Sequence, residues 1–113
     1  MQFQEIEQKT KKYRNKIYKK LIKDAKIFKE DWISDLRQEW IEEESNLPFT
    51  EYYQYYIEEY MEFYLHYYLL YLIGITLKID STDIDILSIK EKNNLTESFI
   101  LKFKENYDFC QLT

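Results

Sequence analysis

The chain has 113 residues, a formal net charge of −5, and one each of glycine, proline and cysteine; 45% of its residues are hydrophobic and 33% charged. That length supports one modest core, and the apolar content is too high for a disordered chain. The lone Cys110 excludes an intramolecular disulfide and a paired-cysteine zinc or redox site, and the lone Gly74 excludes phosphate-cradling loops.

From Gln2 to Leu47 there is neither glycine nor proline. Phe3, Ile6, Tyr13, Ile17, Leu21, Ala25, Phe28, Trp32, Leu36 and Trp40 recur there at helical spacing. Residues 1–46 therefore form one long helix or two end to end, with Asp31 or Ser34 in "KEDWIS" able to cap the second. Pro48 in "ESNLPF" holds Leu47 extended and sets a turn. Thr50 then caps a tyrosine-rich helix over 50–74, with Glu51 facing the positive end of its dipole and Gly74 as its C-terminal stop.

The C-terminal segment 75–113 follows. "ITLKIDSTDIDILSIKEKNN" reads as a short β-hairpin or, better, as a helix from Thr82 to Glu91 capped by Ser81, because a lone two-stranded hairpin is marginal in water. Asn94 or Thr96 caps a short last helix that carries Phe99, Ile100, Phe103 and Tyr107 on one face. The expected fold is all-α and spans 1–113 as a single domain: a long antiparallel helical hairpin closed by one or two short C-terminal helices.

Charge is segregated along the chain. Lys9 to Lys29 holds ten basic residues and one acid, whereas Glu30 to Glu62 holds eleven acids and one base, Arg37. On a helical wheel Lys9, Lys12, Lys16, Lys19, Lys20, Lys23 and Lys26 share one sector, opposite the apolar stripe. In the tyrosine-rich helix Tyr53, Tyr56, Tyr60, Tyr64, Tyr67, Tyr68 and Tyr71 gather on one side, while Glu51, Glu58, Glu59, Glu62 and His66 gather on another. A tyrosine ridge suits a boundary, with rings packed on a neighbour and hydroxyls at water or a partner. It reads either as packing inside the hairpin or as the centre of a protein interface.

Glu58, Glu62 and His66, at i, i+4 and i+8, are the most site-like constellation. With one histidine in the chain and Glu-x-x-x-His spacing, they read as a solvated acidic face rather than as metal ligands, and no cofactor is expected. The fifteen uncharged residues from Phe63 to Leu77 fall short of the about 20 that span a bilayer, so this stretch reads as a buried helix. The charged N-terminus does not read as a signal peptide, which makes a cytoplasmic protein the expectation.

No catalytic signature is present, so binding is the expected activity. Partner-contacting candidates are the acids Glu39, Glu42, Glu43, Glu44, Glu51, Glu58, Glu59 and Glu62 and the aromatics Tyr53, Tyr56, Tyr60 and Tyr64. Ile, Lys, Tyr and Phe, which AT-rich codons favour, are abundant, and valine is absent. Small, acidic and helical, the chain is similar in general character to phage or mobile-element inhibitors of host nucleic-acid-handling or defence proteins. Its acid clusters would then occupy a positively charged channel of a nucleic-acid-binding enzyme or complex. The alternatives are a nucleic-acid-binding accessory protein whose Lys12, Lys16, Lys19 and Lys23 contact phosphate, or a homo-oligomer in which basic and acidic halves pair between chains.

Overall fold

The computed structural model describes residues 1–112, and these residues form five helices: α1 (Phe3–Lys12), α2 (Arg14–Glu42), α3 (Phe49–Leu77), α4 (Ser81–Asp85) and α5 (Ile89–Asn106). The all-α expectation holds, and the described residues contain no strand. The 75–91 stretch is therefore not a hairpin.

The first helical segment breaks at Tyr13, not in "KEDWIS". One turn earlier the Thr10 hydroxyl donates to the Ile6 carbonyl at 2.7 Å, a back-bond that competes with the helical ladder and bends it. Through "KEDWIS" the stripe Ile17, Leu21, Ala25, Phe28, Trp32 and Leu36 continues without a slip, and every member is buried. Packing along that stripe outweighs the local capping preference of Asp31 and Ser34.

α2 ends in a hydrogen-bond pattern that closes its last turn: the Glu44 N–H reaches the Ile41 carbonyl at 3.1 Å and the Ser45 N–H reaches that of Trp40 at 3.4 Å. This geometry puts Glu44 in the left-handed region, φ 52°. The turn is pinned by the Trp40 indole, which donates to the Leu47 carbonyl at 2.8 Å, and by Arg37 over the Phe49 ring at 4.2 Å. Pro48, not Thr50, occupies the N-cap position of α3.

α3 does not stop at Gly74 but continues to Leu77, where Lys78 takes the left-handed closing position at φ 54°. Gly74 serves packing instead: a Cβ there would lie 3.2 Å from Cδ1 of Ile84 on α4. Asp80, not Ser81, caps α4, its carboxylate accepting from the Thr82 N–H at 3.0 Å. α5 starts at Ile89, well before Asn94, and at 18 residues it is not short. A reciprocal cap sets its start: the Ser88 hydroxyl accepts from the Glu91 N–H at 3.1 Å, and the Glu91 carboxylate accepts from the Ser88 N–H at 3.0 Å.

α3 occupies the middle of the assembly, with α2 and α5 packed on two of its sides and α1 in contact with both α3 and α5. The core runs along its length through Ile57, Met61, Leu65, Leu69 and Ile73, all fully buried. Trp32 closes the bundle, with Phe28, Tyr64 and Phe103 rings 5.5–6.2 Å from its own. The molecule measures 49 × 26 × 18 Å, close to the length of its two 29-residue helices.

Candidate protein interface

The tyrosines of α3 divide into two sets. Tyr52, Tyr60 and Tyr68, eight residues apart, lie along the seam with α2, and their hydroxyls donate to Glu43, Asp35 and Asp24. The partners descend in number as the tyrosines ascend, the register of an antiparallel pair. Here tyrosine does what leucine cannot: the ring packs on the α2 stripe and the hydroxyl satisfies a carboxylate at the seam's edge. Burial, then the adjacent Glu43, pushes the Tyr52 hydroxyl up to about 12. Burial likewise raises Tyr60 and Tyr68, with Asp35 and Asp24 adding to it.

Tyr53 is fully buried and donates to the Phe109 carbonyl at 2.7 Å, tying the C-terminal tail to α3. Tyr64 packs against Phe28 and Trp32. Three of the four aromatic candidates, Tyr53, Tyr60 and Tyr64, thus belong wholly or mainly to the fold's own packing, and only Tyr56 stands exposed.

The second set faces outward, on the side of α3 that neither α2 nor α5 covers. Tyr55, Phe63, Tyr67 and Tyr71 are 75%, 66%, 58% and 65% exposed, and Ile75 continues the row. Phe63 and Tyr67 lie edge to face with centroids 5.0 Å apart, and Tyr55 meets Tyr56 at 4.7 Å. A shallow groove of about 450 Å³ is lined by aromatic rings alone: Tyr60, Phe63, Tyr64, Tyr67, Tyr68 and Tyr71. The helical wheel placed Tyr67 and Tyr71 on the tyrosine side, but the depth at which α2 sits against α3 decides which tyrosines are covered. Composition and period do not carry that information.

The acids separate as well. Glu58 and Glu62 are held by Lys104 of α5, whose ammonium lies 2.6 Å from both carboxylates. Those contacts raise the Lys104 ammonium to about 12, Glu58 foremost. This clamp ties α3 to α5, so the two acids are partners of the fold before they are partners of anything else. Glu39, Glu42, Glu43, Glu44 and Glu51 are exposed around the α2–α3 turn, and Glu59 is exposed on the outer side of α3.

Because α2 and α3 run antiparallel, the acidic end of α2 lies beside the acidic start of α3, and one end of the molecule is acidic. Arg37, the single base in this region, is engaged on Phe49. Lys12, Lys16, Lys19 and Lys23 are all exposed toward the opposite end, and none has an ion-pair partner among the described residues.

His66 faces a groove of about 580 Å³ between α3 and α5, with Nδ1 3.0 Å from the Thr96 hydroxyl. Burial, then Lys92, lowers its basicity. Glu62, one carboxylate of the Glu58–Glu62–His66 series, is taken by Lys104, and no metal-binding group of three or more donors occurs among the described residues. No described helix is long and apolar enough to cross a membrane. No family model, curated protein or solved structure matches the chain.

Proposed function

We infer that the protein acts in the cytoplasm by stoichiometric binding of another protein, without chemistry of its own. Its acidic end enters a positively charged channel that otherwise receives nucleic acid. This is the mode of a phage or mobile-element inhibitor of a host nucleic-acid-handling or defence protein. The observation that supports it is the convergence of Glu39, Glu42, Glu43, Glu44 and Glu51, all exposed, around one helix–helix turn. Clustered carboxylates on a rigid turn steer association with a basic surface and suppress approach to acidic ones.

The test is capture from a bacterial lysate, with nuclease present, by tagged wild-type protein and by a variant with Glu42, Glu43 and Glu44 changed to lysine. A stoichiometric protein partner retained by the wild type and lost by the charge-reversed variant is the expected result. Equal retention by both sinks the reading. Lys12, Lys16, Lys19 and Lys23, exposed and without an ion-pair partner among the described residues, favour one rival, direct phosphate contact. In that case nuclease abolishes capture, and so does changing Lys12, Lys16, Lys19 and Lys23 to glutamine.

A further inference from the structure

We propose that the outward face of α3 is a self-association surface, on which two copies of the chain pair through antiparallel α3 helices about a two-fold axis near Phe63 and Tyr67. A helix side that no neighbouring element covers is ordinarily polar toward water. α3 instead presents Tyr56, Phe63, Tyr67, Tyr71 and Ile75 along one exposed line, interrupted only by Glu59. Ile57, Met61, Leu65 and Leu69 fill its opposite side, so α3 is apolar both toward the core and away from it.

The area suffices for a pair. At roughly 200 Å² per large side chain, the exposed fractions of these five residues amount to about 560 Å² per protomer. Two such faces bury about 1,100 Å², just above the roughly 1,000 Å² that a specific interface needs. A contiguous patch of this extent is at the upper limit of what monomers leave exposed.

Charge selects both the partner and its direction. All acids of α3 lie in its first half, at Glu51, Glu58, Glu59 and Glu62, and Phe63 to Leu77 carries no charged residue. α2 adds its own acids beside the acidic half and its lysines beside the neutral half. Parallel pairing would set acidic end against acidic end. Antiparallel pairing about Phe63 and Tyr67 sets the acidic end of each copy beside the lysine-bearing end of the other, and brings Lys78 of one level with Glu51 of its mate. A second copy thus supplies apolar surface and opposite charge in one register. This pairing does not rest on the inhibitor reading, because the α2–α3 turns project at the two tips of the pair.

Sedimentation of the full chain over a concentration series tests the pairing. The expected species has twice the 14.2 kDa chain mass. Phe63→Lys and Tyr67→Lys each weaken it about tenfold or more, with helical circular dichroism unchanged because both side chains lie outside the core, and added salt weakens the wild-type pair. A chain that stays monomeric at every concentration overturns the proposal. So does a dimer whose affinity survives both substitutions, which places the contact elsewhere. Direction is read from a spin label at Thr50→Cys with Cys110→Ser. An antiparallel pair holds the two labels about 45 Å apart, and a short separation refutes this orientation.

Discussion

Glu44 and Lys78 close the two longest helices in a conformation that L-residues adopt at a cost and glycine adopts freely. Replacing either by glycine should stabilise the fold by about 0.5–1 kcal/mol after the added freedom of the unfolded chain is counted. Thermal unfolding followed by circular dichroism reads this as a rise of a few degrees, and no rise in either variant would contradict the left-handed closure. The seam tyrosines predict a second behaviour. Tyr52, Tyr60 and Tyr68, together with buried Tyr53, hold their protons more tightly in the fold than in the unfolded chain. A raised folded pKa contributes stability in full below the unfolded value near 10. As pH climbs from there through the folded values the contribution is lost. Lys104, raised to about 12, loses its clamp in the same window. Alkaline titration should therefore show a cooperative loss of helix that coincides with part of the tyrosinate absorbance. Tyrosinate appearing in full before any helix is lost would mean that the seam hydroxyls are not bonded.

Among the elements, the start of α5 rests on one reciprocal cap. Ser88→Ala removes an acceptor for the Glu91 N–H and should cost about 1 kcal/mol, lowering the unfolding midpoint in urea without changing its slope. The "SIKE" signature of that cap was legible in the sequence, yet Asn94 and Thr96 drew the boundary later because they too are cap-forming residues. What distinguishes them is Leu95 and Thr96, buried against the bundle, where a helix interior must run. The long helical hairpin was legible from the apolar stripe and Pro48. The break at Tyr13 was not, since the bend originates in a hydroxyl of Thr10 that the hydrophobic period ignores. Gly74 misled for a similar reason: its value lies in a contact with Ile84 across two elements, not in its own backbone freedom. In the candidate interface, the acidic turn could be read from charge order alone. The exchange of Tyr53, Tyr60 and Tyr64 for Phe63, Tyr67 and Tyr71 on the outer surface required the position of α2.

For the whole molecule, 49 Å long, the acidic turn and the lysines of α1 and early α2 lie toward opposite ends, and even Lys23 and Glu39 are about 24 Å apart along α2. At physiological ionic strength electrostatic influence decays over about 8 Å, so the two ends are screened from each other several times over. A body approaching one end feels almost nothing of the other. The net charge of −5 therefore describes neither encounter. In dilute solution near neutral pH the protein should be held back on both anion- and cation-exchange resins, and changing Lys12, Lys16, Lys19 and Lys23 to glutamine should abolish only the second. Passage of the wild type straight through a cation exchanger would show that its lysines do not act as a separate pole. The antiparallel packing of α2 on α3 thus does more than build a core: it sorts one chain into two electrostatic objects, and the orientation of first contact is settled before any side chain touches.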